Sequence, residues 1–168
     1  MATLYMLFGY PGAGKTTTAK VLHELTGATH LSSDHLRSAL FQEPTFTQAE
    51  HDEVYHQLDK TAEHLLATGH DVIYDANLNR LQHREEKYVI CQRTGAKPLL
   101  LWLTTSREMA KSRASDSSRQ HLWPPNVTPD QLFERVARAI EEPGPDEPYI
   151  VLDGTKVTKD YIRGQLGL

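Results

Sequence analysis

Gly9-Tyr10-Pro11-Gly12-Ala13-Gly14-Lys15-Thr16 satisfies the pattern G-x-x-x-x-G-K-S/T at every fixed position. It follows the apolar run Leu4 to Phe8 and opens a helical pattern from Lys15 to Leu25. A strand, a glycine-rich turn and a helix in that order are what a phosphate-binding loop requires. The glycines let the backbone curl until successive N–H groups converge on one point, an anion-binding concavity at the positive end of a helix. Gly12, Ala13, Gly14, Lys15, Thr16 and Thr17 are therefore predicted to cradle phosphates. Lys15 supplies a point charge for the outer ones, and the Thr16 hydroxyl is placed to ligate a Mg2+ that arrives with the nucleotide. Such turns also occur without a ligand, but four matched positions in the correct context argue against that reading here.

Composition bounds the rest. A chain of 168 residues with 39% hydrophobic and 24% charged residues suits one globular domain over 1–168, and neither a repeat nor a low-complexity tract interrupts it. A net charge of -4 argues against a surface that coats nucleic acid, while leaving room for a local basic channel. The single cysteine, Cys91, excludes an internal disulfide and fits a reducing compartment. No basic region precedes the N-terminal apolar run, which stops at Gly9. The reading is a cytoplasmic protein with no membrane partner and no evident obligate protein partner.

Along the chain, strand and helix patterns alternate. Strands are predicted over 3–8, 28–31, 71–75, 98–103 and 149–153, the fourth being the most apolar and placed centrally or beside the first. After Gly27 and the second strand comes Ser32-Ser33-Asp34-His35-Leu36-Arg37, where a helix should begin. Thr47 reads as the N-cap of a long helix, with Glu50 completing a capping box and Val54, Leu58, Ala62 and Leu65 as its buried stripe. A helix from about Leu81 to Thr94 is closed by Gly95. Ser106 caps a polar helix carrying Arg107, Lys111 and Arg113, and 114–127 shows no periodicity. Thr128-Pro129 restarts a helix that should bury Leu132, Phe133, Val136 and Ile140.

This alternation predicts a three-layer α/β fold with a five-stranded, mostly parallel sheet. Ligands in such folds sit beyond the carboxyl ends of the strands. The candidate residues are then the loop after strand one, Asp34 after strand two, Asp75 to Asn79 after strand three, Thr104 and Thr105 after strand four, and Asp153 to Thr155 after strand five.

Gly-x-Pro-Gly-x-Gly-Lys-Thr, then Ser-x-Asp-x-x-Arg about twenty residues later, then a hydrophobic strand ending Asp-x-Asn-Leu-Asn, resembles the P-loop kinases related to the polynucleotide 5'-hydroxyl kinase domain. The same broad group holds gluconate-kinase-like, chloramphenicol-phosphotransferase-like and zeta-toxin-like enzymes. The resemblance runs through the tail, where Glu141-Glu142-Pro143 and Val151-Leu152-Asp153-Gly154-Thr155 look like the group's last strand. It implies a P-loop NTPase fold with a helical lid over about 107–127, and transfer of the γ-phosphate of ATP, with Mg2+, to a hydroxyl acceptor that includes a nucleic-acid 5' end.

The resemblance makes Asp34 the carboxylate facing the acceptor hydroxyl. A loose phosphoryl-transfer transition state needs a positioned nucleophile more than a strong base, so an ordinary carboxylate suffices; the plain alternative is that Asp34 only caps its helix. Arg37, three residues on, would approach the acceptor's phosphate or the transferring group, against a surface-helix arginine as the plain reading. Asp75 stands where a P-loop protein holds the acid of its second Mg2+-associated motif. Asn77 and Asn79 would hold substrate, or shape a turn. Ala76 stands where the family pattern has a hydroxyl residue and, not being glutamate, removes the acid expected of a water-activating ATPase. Arg113 and Arg119, with Arg107 third, read as lid arginines that stabilise the transferring phosphoryl group, or as a solvated helix face. The spacing of Arg113 and Arg119 is longer than the polynucleotide kinase pair.

Neither Asn-Lys-x-Asp nor Asp-x-x-Gly occurs, so a GTPase is excluded. Nine histidines form no ligand set of helical-zinc spacing. The expectation is a polynucleotide-kinase-like phosphotransferase. The alternatives are a small-molecule kinase for a sugar acid, antibiotic or sugar nucleotide, and a non-catalytic ATP-binding or ATPase switch module.

Overall fold

The nearly unbroken apolar run at the N-terminus forms β1 (Thr3–Phe8), which lies at the centre of the sheet in the computed structural model; residues 1–116, 124 and 126–168 are described. Around it are α1 (Lys15–Thr26), β2 (Thr29–Ser32), α2 (Ser33–Leu40), α3 (Gln48–Ala67), β3 (Val72–Asp75) and α4 (Leu81–Thr94). The chain continues through β4 (Lys97–Thr104), α5 (Arg107–Ala114), α6 (Pro129–Arg138), β5 (Tyr149–Asp153) and α7 (Lys159–Leu166). The sheet order is β2-β3-β1-β4-β5, and every pairing is parallel. β4 is therefore β1's neighbour, while β1 itself is central.

Period-two alternation divides the core between the two faces. Leu4, Met6 and Phe8 of β1 join Val54, Leu58, Ala62 and Leu66 of α3 and Ile90 and Cys91 of α4. Tyr5 and Leu7 join Ala19 and Leu22 of α1 and Ile162 of α7 on the other side. The result is three layers, the arrangement that strands apolar on both faces demand. Among the described residues no helix is long and apolar enough to cross a membrane.

Three local expectations are corrected. The buried stripe of α3 ends on Leu66, with Leu65 only partly buried. The Thr47 side chain caps the Glu50 N–H at 3.3 Å, but the Glu50 carboxylate does not complete the capping box; it turns to Arg37 and Thr45 instead. On α6 only Phe133 is buried, while Leu132 and Val136 face a cleft. The full capping box stands at that helix, where Thr128 and Gln131 satisfy each other's backbone N–H.

Two buried ionic clusters tie the layers together. Arg84 is fully buried, forks onto Glu147 at 2.5 and 3.0 Å and donates to the Leu78 carbonyl at 2.9 Å. Tyr88 completes Glu147's shell at 2.8 Å. Lys87 and the Tyr74 hydroxyl share Asp59, each at 2.6 Å. The first cluster pins the loop after β3 to the segment leading into β5.

Candidate functional site

β1, β2 and β3 all deliver their carboxyl ends to one cleft of about 420 Å³. The switch in strand order between β1 and β3 opens a crevice there, because the connections from the two strands leave in opposite directions. The loop after β1 forms its floor through Pro11, Gly12, Gly14, Lys15, Thr16 and Thr17. Gly12 sits at φ 78°, and a Cβ on it would collide with the Ala110 carbonyl of α5. Gly154 is equally constrained, since a Cβ there would meet the Ala13 carbonyl and Thr105 Oγ1. The loop is thus clamped between α5 and the turn after β5.

Lys15 Nζ donates to the carbonyls of Gly9 (2.9 Å) and Tyr10 (2.8 Å), which holds it across the loop. Burial brings its pKa down to about 8, against the pull of Asp75 and Asp34 that would raise it. An ammonium already stripped of much of its water stands to gain from an arriving phosphate. Thr16 Oγ1 donates to Asp75 Oδ2 at 3.1 Å, so the helix hydroxyl and the carboxylate at the end of β3 meet across 59 residues of sequence. Two hard oxygen donors at one point suit Mg2+. Among the described residues no group of three or more His, Cys, Asp or Glu could hold a metal ion, so phosphate and water oxygens would complete the shell of such an ion.

β2 pairs with β3 so that Ser32 lies beside Asp75, which carries the first turn of α2, and Asp34 with it, into the same cleft. Ser32, rather than Asp34, is the N-cap, accepting from the His35 N–H at 3.4 Å. Arg37 is no surface arginine: it is 6% exposed and ion-paired with Glu50 at 2.5 Å. Asn77 makes a turn with its own side chain, Oδ1 accepting from the Asn79 N–H at 3.0 Å, while the Tyr55 hydroxyl accepts from the Asn77 N–H at 2.9 Å. Asn79 is buried, and its carbonyl accepts from Glu141 at 2.7 Å. Both asparagines line the cleft.

The basic helix α5 divides its charges. Arg107 and Lys111 reach Glu134 on α6 at 2.5 and 3.1 Å, away from the phosphate loop. Arg113 donates to the Gly154 carbonyl at 3.3 Å and is not part of the cleft wall. Arg119 lies outside the described residues, as does most of the stretch expected to complete the lid.

Several residues in and behind the cleft wall escaped the sequence reading. His30 Nε2 bonds Asp75 Oδ2 at 2.9 Å, the oxygen that also takes Thr16. Phe46, His51 and Tyr55 form the far wall with Arg37, which Glu50 backs, His51 stacking on Tyr55 at 4.3 Å between ring centroids. Only β2–β3 pairing and the packing of α2 on α3 assemble them, and no spacing in the sequence signals that.

The fold, with its five-stranded parallel sheet, is shared with solved kinase structures. The chain belongs to the AAA domain family, whose model matches residues 4–143. Among solved structures it is similar to a protein of Chloroflexus aurantiacus j-10-fl provisionally assigned as a kinase, at TM-score 0.75 and 17% identity over 99% of this chain and 97% of that one. It is similar to a sugar kinase from Janibacter sp. HTCC2649, at TM-score 0.68 and 20% identity over 99% and 93%. It also resembles the Mycobacterium tuberculosis APS kinase CysC in complex with AMPPNP and APS, at TM-score 0.55 and 18% identity over 82% and 96%. No curated protein matches the sequence.

Proposed function

We propose that the protein is an ATP-dependent phosphotransferase acting on a small hydroxyl compound. The observation that carries this reading is the convergence of Lys15, the Thr16–Asp75 pair and Asp34 on one cleft. The sugar kinase and APS kinase likenesses favour a small acceptor, and nothing among the described residues favours the nucleic-acid 5' end that the sequence suggested.

In this reading the backbone from Gly12 to Thr17 binds the ATP phosphates, and Lys15 leaves its loop carbonyls to pair with the outer ones. Thr16 and Asp75 would hold Mg2+, which would offset charge on the phosphate oxygens. Asp34 orients the acceptor hydroxyl and takes its proton as that oxygen bonds to the γ-phosphorus and the bond to the β–γ bridging oxygen breaks. His30 keeps Asp75 turned toward Thr16. Arg37, Asn77 and Asn79 shape the acceptor side, and Arg113 and Arg119 serve the transferring group from a closed lid.

The test is transfer of label from γ-labelled ATP to a panel of sugars, sugar acids, nucleosides, aminoglycosides and 5'-hydroxyl oligonucleotides. A phosphorylated small molecule is expected. Label that leaves only as inorganic phosphate, whatever acceptor is present, would replace this reading with an ATPase or switch.

A further inference from the structure

The segment between α2 and α3 holds a bulky residue in a conformation that bulky residues avoid. Phe46 has φ 57°, the left-handed region that a large side chain keeps only when its surroundings dictate it. The surroundings here are Glu50. Its buried carboxylate accepts from the Thr45 N–H (2.7 Å), Thr45 Oγ1 (2.9 Å) and Arg37 Nη1 (2.5 Å), and the adjacent Phe46 N–H helps to lower its pKa. The Arg37 guanidinium carbon lies 4.8 Å from the Phe46 ring centroid, and the ring lines the cleft. Strained backbone of this kind clusters at ligand clamps, where the surrounding bonds force a side chain into contact.

The charge pattern of the same wall limits what the clamp can hold. Arg37, the one cation that the sequence offered for an anionic acceptor, already faces a buried carboxylate. Burial works against Glu50's charge, yet the bonds from Thr45, Arg37 and Phe46 hold its pKa down to about 2, so it does not release Arg37 by protonation. Burial and the nearby Arg37 lower the pKa of His51, and burial pushes the Tyr55 hydroxyl up to about 12, so both are neutral near pH 7. Leu132 and Val136 add an aliphatic surface from α6. Among the described residues, the wall around Phe46 thus offers aromatic and aliphatic faces and neutral polar groups, beside an Arg37 whose charge Glu50 offsets and the Asp34 carboxylate.

Resting on the kinase reading above, we infer that the acceptor is an uncharged ring compound that lays an apolar face on Phe46 and carries its hydroxyls at the rim, as neutral sugars and nucleosides do. A sugar acid or a phosphorylated end would meet an Arg37 whose charge Glu50 already offsets, beside the Asp34 carboxylate in the same cleft.

The experiment measures kcat/KM with Mg-ATP for neutral hexoses, free nucleosides, gluconate-type acids and 5'-hydroxyl oligonucleotides, in the wild type and in Phe46→Ala, Phe46→Leu and Phe46→Tyr. A neutral hexose or a nucleoside is expected to lead the panel, the two arms deciding which. Phe46→Ala and Phe46→Leu are expected to raise the acceptor KM about 10-fold while leaving the KM for ATP unchanged, and Phe46→Tyr to restore it. The Mg-ATP melting shift of each variant reports that its phosphate loop is intact. Preference for an acid or an oligonucleotide overturns the inference, as does an acceptor KM that ignores Phe46. A wild type with no Mg-ATP melting shift overturns the kinase reading itself, whereas a normal shift with transfer to an acid overturns only the acceptor class.

Discussion

Lys15 has a pKa of about 8 in the folded protein, below the ordinary lysine value because burial disfavours its charge. Between about pH 8 and the unfolded lysine value the unfolded chain binds more protons. This residue's contribution to stability therefore rises with pH through that window, and the penalty for its buried charge is fully present below it. Phosphate binding runs the other way, since a bound phosphate needs the ammonium. The Mg-ATP dissociation constant is expected to be flat below pH 8 and to weaken by about 10-fold per pH unit above it, with calorimetry as the check. Lys15→Ala should abolish the Mg-ATP melting shift, and an unchanged shift would remove the loop from nucleotide binding. Asp34→Asn should keep that shift while turnover falls by about 10² to 10⁴, measured by label transfer. A variant with near-normal turnover would exclude Asp34 from the chemistry. The phosphate-side residues were legible because a single turn of loop and helix brings them together. His30 was not, since it meets Asp75 only through the pairing of β2 with β3.

At the scale of elements, the loop after β3 is held from behind by α4. Arg84 spans the Leu78 carbonyl and Glu147, so it fastens the cleft's Asn77–Asn79 turn to the chain that leads into β5. Replacing Arg84 by Met leaves Glu147 without its charge partner in a largely buried site. A loss of about 3 to 5 kcal/mol is expected in urea unfolding, because removing one member of a buried pair strands the other. A loss near zero would show that Glu147 finds water. Arg84 carried no signal in the sequence: it lies in a polar helical stretch, and its burial comes from Phe8 and the segment around Glu147 closing over it. Most element boundaries, by contrast, were read to within a residue or two, because glycine stops at Gly27 and Gly95 and hydroxyl caps at Thr47, Ser106 and Thr128 act locally. The misplaced capping box has a tertiary cause. Glu50 prefers a buried arginine to its own helix end.

Across the whole molecule, the two large core clusters share the central sheet, whereas α5 and α6 rest on a third cluster whose buried members among the described residues are only Ala110, Ala114 and Phe133. That small cluster touches the phosphate loop through Tyr10, and Gly12 has no room for a Cβ beside the Ala110 carbonyl. Elements with little buried apolar contact open first. Hydrogen exchange is therefore expected to be faster in 107–114 and 129–138 than in β1, β3 and β4, and to slow when Mg-ATP binds. Uniform protection, or protection indifferent to nucleotide, would show that these helices neither move independently nor sense the loop.

The sequence by itself determined the alternation of strands and helices, the phosphate loop and the strand ends at which a site had to lie, because each of these depends on neighbours a few residues apart. Only the tertiary structure decided that β1 is central, that Asp75 meets Thr16 and His30, and that Glu50 takes Arg37 and sets Phe46 in the cleft. These pairings join residues from separate elements, and what selects them is strand order and the burial of charge against charge, which local patterning does not encode.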